Sequence, residues 1–209
     1  MTEGVVKYRC DYRRGAAPDA TAVHELQAWH GICRRLGLIG RDPGRYDGCA
    51  YGNLSRRLGH DRFLISGTQT GGKAGLTPDD FAWVEACDIA ANRVRASGPA
   101  APSSEALTHA ALYRASSAAR CVIHVHSPEI WHAAAALGLP CTDPQAAYGT
   151  PAMAQAVREL FDAGALARDQ GLFAMLGHED GIVSYGLDAD MAGSLLIAAL
   201  GRARRLDSA

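Results

Sequence analysis

The chain has 209 residues, of which 48% are apolar and 21% are charged, and its formal net charge is −1. These totals are typical of a compact globular protein, and we expect residues 1–209 to form a single domain. The nearly neutral charge argues against a nucleic-acid partner or an anionic membrane surface, so any anion would be bound at a local site.

Six cysteines are scattered along the chain, and no Cys-x-x-Cys pair occurs. This spacing excludes zinc-finger and thioredoxin-like sites, and we expect small buried apolar thiols rather than a disulfide framework. The first 15 residues lack the apolar core of a signal peptide, and no run approaches the roughly 18 apolar residues of a membrane span. We therefore expect a cytoplasmic protein without a membrane segment.

The first half of the chain predicts one helix followed by short segments rich in glycine. Asp19 can cap the helix and Gly37 can end it. Its apolar stripe has the spacing of one helical face and consists of Ala22, Leu26, Trp29, Cys33 and Leu36. Two short apolar runs, a loop and two possible hairpin strands follow at residues 49–55, 62–66, 67–80, 81–88 and 92–95. The run 81–88 could equally be helical, because short apolar runs do not settle that choice.

The second half alternates helices with apolar strands. Residues 102–104, Pro-Ser-Ser, can open and cap a helix over residues 105–116, and the β-branched residues of 121–126 are typical of a strand. Further helices are predicted after Trp131 to about Gly138, over 153 to about 164 and over about 188–206, with paired strands at 172–176 and 181–185. This order predicts an α/β layered domain with mixed strand order.

The loop GTQTGGKA, residues 67–74, matches G-x-x-x-x-G-K, the first part of a phosphate-binding P-loop. Ala74 stands where that motif needs a serine or threonine for magnesium, and residues 75–78 are a poor start for a helix. A nucleotide hydrolase is therefore disfavoured. The backbone N–H groups of the loop still suit a phosphate or carboxylate, and a plain connecting loop is the alternative.

Two histidines, His124 and His126, lie on one face of the strand predicted over 121–126. Imidazoles about 6–7 Å apart along a strand can converge on one metal ion; two hydrogen-bonded strand histidines are the alternative. A catalytic zinc needs a third protein ligand, and His178 is the best candidate because it lies in a tight connection between apolar strands. The remaining histidines are placed on helices or in a polar turn: His24, His30 and His132 on helices, His60 in the turn, and His109 either in the packing or as a supporting neighbour of Glu105.

Glu105 is the carboxylate to consider beside these histidines. In the first turn of a helix it can act as a capping group that the helix dipole favours. It also follows Ser103 and Ser104, whose hydroxyl and N–H groups suit an anion. A carboxylate close to a metal and an anionic substrate can instead act as a general base.

Seven segments, in this order, resemble the class II aldolase/adducin family: GNLS (52–55), SGT (66–68), LTPDD (76–80), PSSEALTHAALYRA (102–115), VIHVHS (122–127), YGTP (148–151) and GHEDGIVSYG (177–186). The resemblance spans roughly residues 20 to 205. It implies a three-layer α/β/α sandwich around a central, largely antiparallel sheet. It also implies a homotetramer with sites near the subunit interfaces.

The resemblance implies a divalent metal, usually zinc and otherwise manganese or cobalt, held by His124, His126 and His178. Glu105 would move a proton, and a substrate phosphate would be held by Asn53, Ser66, Gly67, Ser103 and Ser104. The implied reaction is aldol cleavage of a small sugar phosphate or hydroxy-ketone through a metal-stabilised enediolate. Keto-acid substrates, epimerase, dehydratase or decarboxylase chemistry, and a non-catalytic adducin-like assembly module remain alternatives; the related epimerases typically carry Asp at the position of Glu105.

Two features depart from the family pattern. The segment between His126 and Tyr148 is short and contains no tyrosine to act as the family's proton donor. The third histidine is followed by Glu179 and Asp180 instead of directly by glycine. Tyr148, His132 or Glu179 are the candidates for the missing acid.

Overall fold

The computed structural model describes residues 5–59 and 61–207, so His60 and its predicted turn lie outside the described residues. In chain order the strands are β1 (Arg9–Arg14), β2 (Gly40–Arg41), β3 (Ala50–Tyr51), β4 (Asn53–Arg57), β5 (Phe63–Ser66), β6 (Phe81–Asp88), β7 (Arg93–Gly98), β8 (Cys121–His126), β9 (Gly171–Ala174) and β10 (Gly181–Gly186). The helices are α1 (Ala20–Arg35), α2 (Ala106–Ala115), α3 (Pro128–His132), α4 (Pro151–Asp162) and α5 (Ala189–Asp207). No helix in this part of the chain is long and apolar enough to cross a membrane.

Eight of the described strands form one central sheet in the order β1-β7-β6-β5-β4-β8-β10-β9. Within it, β1 and β7 are parallel and the other described neighbours are antiparallel. The strands β2 and β3 form a separate short ribbon. The hairpin predicted from 81–88 and 92–95 is therefore confirmed as β6 and β7, and the helical alternative for 81–88 is wrong.

Two hydrophobic layers cover the two faces of this sheet. Apolar residues of α2 and α4 pack on one face, and those of α1, α3 and α5 pack on the other. Strand β8 contributes to both layers, because successive side chains of a strand point to opposite faces. Val122 joins the first layer, whereas Cys121, Ile123 and Val125 join the second. The arrangement is the three-layer α/β/α sandwich with a largely antiparallel sheet that the sequence predicts.

Helix α1 ends where Gly37 predicts, but its buried stripe is shifted. Gly37 has a φ of +74°, and the N–H of Leu38 donates to the carbonyl of Cys33 at 2.9 Å, which closes the helix in a Schellman motif. Val23 is fully buried in place of Ala22, and Leu36 is 37% exposed. The prediction is wrong for Leu36 because this residue already lies beyond the last helical turn.

Two other elements differ from the sequence prediction. The helix expected after Trp131 is instead the short α3, which starts at Pro128, and hydrogen-bonded turns follow it to Gly138. Ser127 fixes this start because its Oγ accepts from the Ile130 N–H at 3.3 Å. Strand β1 is missing from the prediction because five of its six residues are exposed, so it shows no apolar alternation.

Gly193 allows α5 to pack closely against α1. A Cβ atom at this position would lie 2.1 Å from Cζ3 of Trp29, whereas a Cβ at Gly201 of the same helix would meet nothing within 4 Å. The indole N–H of Trp29 also donates to Asp190 Oδ1 at 2.8 Å, which limits its freedom to move. The contact therefore leaves no room for a side chain at position 193.

We expect Gly193→Ala to lower the free energy of unfolding by about 1–3 kcal/mol because it overpacks this contact. Gly201→Ala, the matched control, should leave it unchanged or raise it by up to about 1 kcal/mol, because alanine favours a helix. Urea unfolding monitored by circular dichroism measures both values. Equal stability of the two variants would show that the packing of α5 on α1 is not as described.

Candidate metal and anion site

Three buried histidines converge on one side of the central sheet. His124 and His126 project from β8, and His178 lies in the connection between β9 and β10. One ring nitrogen from each lies within 4.8 Å of those of the other two. Each residue is at most 3% exposed. The strand alternation and the tight connection thus bring together the three histidines that the sequence singles out.

The pairing of β8 with β10 positions the third histidine. Gly181 lies opposite His126, so the chain that enters β10 must pass directly beside this residue. A tight turn forms there, because the Gly181 N–H donates to the His178 carbonyl at 2.9 Å. The N–H of Ser127 donates to the Asp180 carbonyl at 2.8 Å, which ties the turn to the end of β8.

The imidazole donors fit a divalent cation. Nδ1 of His124 lies 3.2 Å from the Ile182 carbonyl, so Nδ1 is the protonated nitrogen and Nε2 is left as the acceptor. Burial lowers the pKa of His124 and of His126 well below the ordinary value, and the nearby His178 lowers both further. Neutral imidazole is the form that binds metals. The cluster could therefore hold a metal ion.

Glu105 lies beside this cluster and is 2% exposed. Its Oε2 accepts from the Thr108 hydroxyl at 2.6 Å, and its Oε1 lies 3.7 Å from Nδ1 of His178. Glu105 itself occupies the N-cap position of α2, and no side chain caps the described helix. The predicted capping serine Ser103 closes the turn that leads into α2, because its Oγ accepts from the Glu105 N–H at 3.3 Å and its carbonyl accepts from the Ala106 N–H at 3.1 Å.

A small cavity of about 20 Å³ adjoins the histidines. Four of the five predicted anion-binding residues line it together with the predicted base and one histidine: Asn53, Gly67, Ser103, Ser104, Glu105 and His124. The fifth, Ser66, is 1% exposed, and its Oγ accepts from the Leu54 N–H at 3.1 Å. Ser66 thus links β4 to β5 and does not line the cavity.

The glycine-rich loop of residues 67–80 forms one wall of the cavity and leads into a strand. A Cβ at Gly71 would lie 2.3 Å from the Tyr51 carbonyl oxygen, so this position requires glycine. Lys73 forms an ion pair with Asp80, and the loop continues into β6. A P-loop is followed directly by a helix, whereas this loop leads into a strand. The structure therefore does not support a nucleotide hydrolase.

The three candidates for the missing acid lie in different surroundings. The ring of Tyr148 stacks on His178 with centroids 4.5 Å apart, and Lys7 Nζ lies 3.4 Å from the centroid of the same tyrosine. His132 and Glu179 are both exposed. Of the three, Tyr148 is the one in ring contact with the cluster.

Sequence reasoning missed a group of residues that contacts the cluster at His126. The ring of Tyr46 lies 4.5 Å from that of His126, and its hydroxyl donates to Asp180 Oδ2 at 2.5 Å. Arg45 Nη2 donates to the same oxygen at 2.9 Å. Tyr46 and Asp47 have φ of 52° and 55°, in the sparsely populated left-handed region. An arginine and a tyrosine in a Gly/Pro-rich turn just before GNLS were the available signal.

His109 belongs to a buried polar network. Its Nδ1 lies 2.6 Å from Ser55 Oγ, which in turn lies 2.7 Å from the Tyr113 hydroxyl. Burial lowers the pKa of His109 to about 3. This histidine is fully buried, which supports the packing role considered from the sequence.

The lowered pKa of His109 makes the stability of the folded protein sensitive to acid. The unfolded chain takes up a proton near pH 6.5 and the folded protein does not, so stability is lost as the pH falls from there towards 3. We expect His109→Gln to reduce the slope of unfolding free energy against pH by about 1.4 kcal/mol per unit between pH 6 and 4. Urea unfolding of chelator-treated protein measures this slope. His24→Gln, at an exposed site on α1, is the control. An unchanged slope in His109→Gln would show that the pKa of His109 is not lowered in the folded protein.

Comparison with known proteins identifies the family to which the chain is similar. Residues 43–200 match the family model described as Class II Aldolase and Adducin N-terminal domain. No curated protein is similar enough in sequence to count as a match.

Solved structures share the fold at low sequence identity. The L-fuculose-1-phosphate aldolase from Thermus thermophilus aligns with a TM-score of 0.63 and 20% identity over 90% of this chain and 93% of its own. YgbL from Escherichia coli, a putative aldolase/epimerase/decarboxylase, aligns with a TM-score of 0.62 and 21% identity. The alignment covers 88% of this chain and 87% of YgbL. The sugar-phosphate aldolase from Thermotoga maritima aligns with a TM-score of 0.64 and 14% identity over 90% of this chain and 95% of its own. At these identities the likeness shows the fold alone.

Proposed function

The chain belongs to the class II aldolase and adducin N-terminal domain family, and we propose that it is a metal-dependent lyase. In this proposal it cleaves a carbon–carbon bond in a small sugar phosphate or hydroxy-ketone. The observation that carries the proposal is the convergence of three buried imidazoles beside a carboxylate and a serine-lined cavity. Fuculose-1-phosphate and sugar-phosphate aldolases with the same fold support the substrate class.

The metal ligands in this proposal are His124, His126 and His178. Zinc is the first choice because imidazole nitrogens in a buried three-histidine set are typical of catalytic zinc, and manganese or cobalt are the alternatives. A divalent cation held there would polarise a substrate carbonyl oxygen as a Lewis acid.

Glu105 is the proton-transfer group. The Thr108 hydroxyl holds one of its oxygens, which keeps the other oxygen on the side of His178. From this position the carboxylate would move a proton at the substrate group next to the carbonyl. The carboxylate is 2% exposed, so its contact with bulk solvent is small.

Asn53, Gly67, Ser103 and Ser104 bind the substrate anion. The Nδ2 amino group of Asn53 is the part of this side chain that can donate to an anion, because its Oδ1 is only an acceptor. The cavity of about 20 Å³ has room for about one water molecule.

Two other classes remain as alternatives within the family. An epimerase, dehydratase or decarboxylase could use the same ligand set, and the glutamate at position 105 favours the lyase over the related epimerases, which typically carry aspartate. A non-catalytic assembly module of the adducin type would not need the three histidines. The homotetramer, the single domain and the cytoplasmic location expected from the sequence remain predictions.

Metal content separates the enzyme from the assembly module. We expect about one zinc ion per chain by elemental analysis of protein purified from zinc-supplemented medium. The double variant His124→Ala, His126→Ala should lose this zinc because it removes two of three ligands. His132→Ala, at an exposed histidine, should keep it. Wild-type protein that holds no metal and remains active would contradict the proposal.

Glu105→Gln tests the proton-transfer step. We expect the rate constant for retro-aldol cleavage of the best substrate in a sugar-phosphate panel to fall by about 10²–10⁴-fold, because the amide cannot accept a proton. The zinc content should not change. Glu159→Gln, on the exposed side of α4, is the matched control. Full activity in Glu105→Gln would rule out this role for the carboxylate.

A further inference from the structure

The turn between β2 and β3 brings an arginine to the histidine cluster that the proposed mechanism does not use. Nη2 of Arg45 donates to Asp180 Oδ2 at 2.9 Å and to the Tyr46 hydroxyl. Its Cζ lies 4.7 Å from the centroid of the Tyr46 ring. The guanidinium is therefore held by an ion pair and by an aromatic face.

Arg45 lies at the His126 end of the cluster, whereas the anion cavity adjoins His124. The cavity is lined by His124, whereas the tyrosine under the guanidinium contacts His126 with ring centroids 4.5 Å apart. Tyr51 also lines the cavity, and its ring centroid lies 5.0 Å from that of Tyr46 and 5.4 Å from that of His126, so Tyr51 connects the cavity wall to the tyrosine beside Arg45. A ligand that spans the cluster from the cavity would have its far end near this arginine.

Part of the guanidinium remains available to a ligand. Asp180 and Tyr46 occupy the donors of Nη2, and no described residue accepts from Nε or Nη1. The Arg45 side chain is 36% exposed, whereas that of Asp180 is only 7% exposed. An arginine that is already held in place loses little conformational entropy when it binds an anionic group.

We propose that Arg45 binds a second anionic group of the substrate, a carboxylate or a phosphate, at the end opposite the group held in the anion cavity. The substrate would then be a phosphorylated hydroxy acid or keto acid, or a bisphosphate. Asp180 and Tyr46 act through Arg45 as positioning residues. This inference rests on the proposed function, because it takes the cavity and the histidines as the rest of the substrate site.

Calorimetric titration of the zinc-loaded full chain with three probes tests the proposal. Glycerol 3-phosphate has a neutral far end, 3-phosphoglycerate has a carboxylate there, and propane-1,3-diol bisphosphate has a second phosphate. We expect at least one of the two doubly anionic probes to bind wild-type protein about tenfold more tightly than glycerol 3-phosphate, the gain of one charged hydrogen-bonded contact. The tighter of the two identifies the second anionic group.

Arg45→Gln should reduce this preference to less than about twofold and leave the affinity for glycerol 3-phosphate and the zinc content unchanged. Arg35→Gln removes the same charge from an exposed site at the end of α1 and should keep the preference. Tyr46→Phe retains the ring against His126 but removes the hydroxyl, so the preference should fall by about threefold. This second variant provides a test if Arg45→Gln does not fold.

The outcomes separate the two proposals. Equal binding of all three probes by wild-type protein, or an undiminished preference in Arg45→Gln, overturns the role of Arg45 and leaves the lyase proposal standing. Wild-type protein that holds no zinc and binds none of the probes overturns the proposed function and this inference with it.

Discussion

The candidate site depends on the alternation of side chains along β8, a central strand that is buried on both faces. His124 and His126 can share one side of the sheet only while Ile123 and Val125 pack on the other. Pairing on both edges fixes this register, with Asn53 opposite His124 on one edge and Gly181 opposite His126 on the other. A slip of one residue would turn both imidazoles into the apolar layer, so the candidate metal site depends on the sheet register.

The same register collects site residues that are far apart in sequence. Because β4 and β10 flank β8, the asparagine of GNLS and the connection that carries His178 both arrive beside the strand histidines. Helix α2 packs on that side of the sheet and brings Glu105 to the cluster. Each of these groups is carried by a strand of the sheet, by a helix that covers the sheet or by a tight connection between two of its strands.

Much of this arrangement is predictable from local pattern. The β-branched run of β8, the paired apolar strands around GHED and the order of the family motifs predict the histidine cluster, the carboxylate and most of the cavity. Arg45 and Tyr46 are not predictable, because they reach the cluster through His126 and Asp180, which are 80 to 135 residues away in the chain. Strand β1 is exposed and polar, and α3 is shortened by turns that alanine-rich composition does not reveal. Long-range contacts and irregular backbone leave no periodic signal in a sequence.

The central claim is that three imidazoles bind one metal ion at this side of the sheet. Zinc K-edge X-ray absorption spectroscopy of the zinc-loaded protein tests it most directly, because it reports the ligand types around the ion without requiring a known substrate. The account predicts three imidazole nitrogens at about 2.0–2.1 Å and no sulfur in the coordination shell. A sulfur scatterer at about 2.3 Å, or a shell with one imidazole or none, would contradict it.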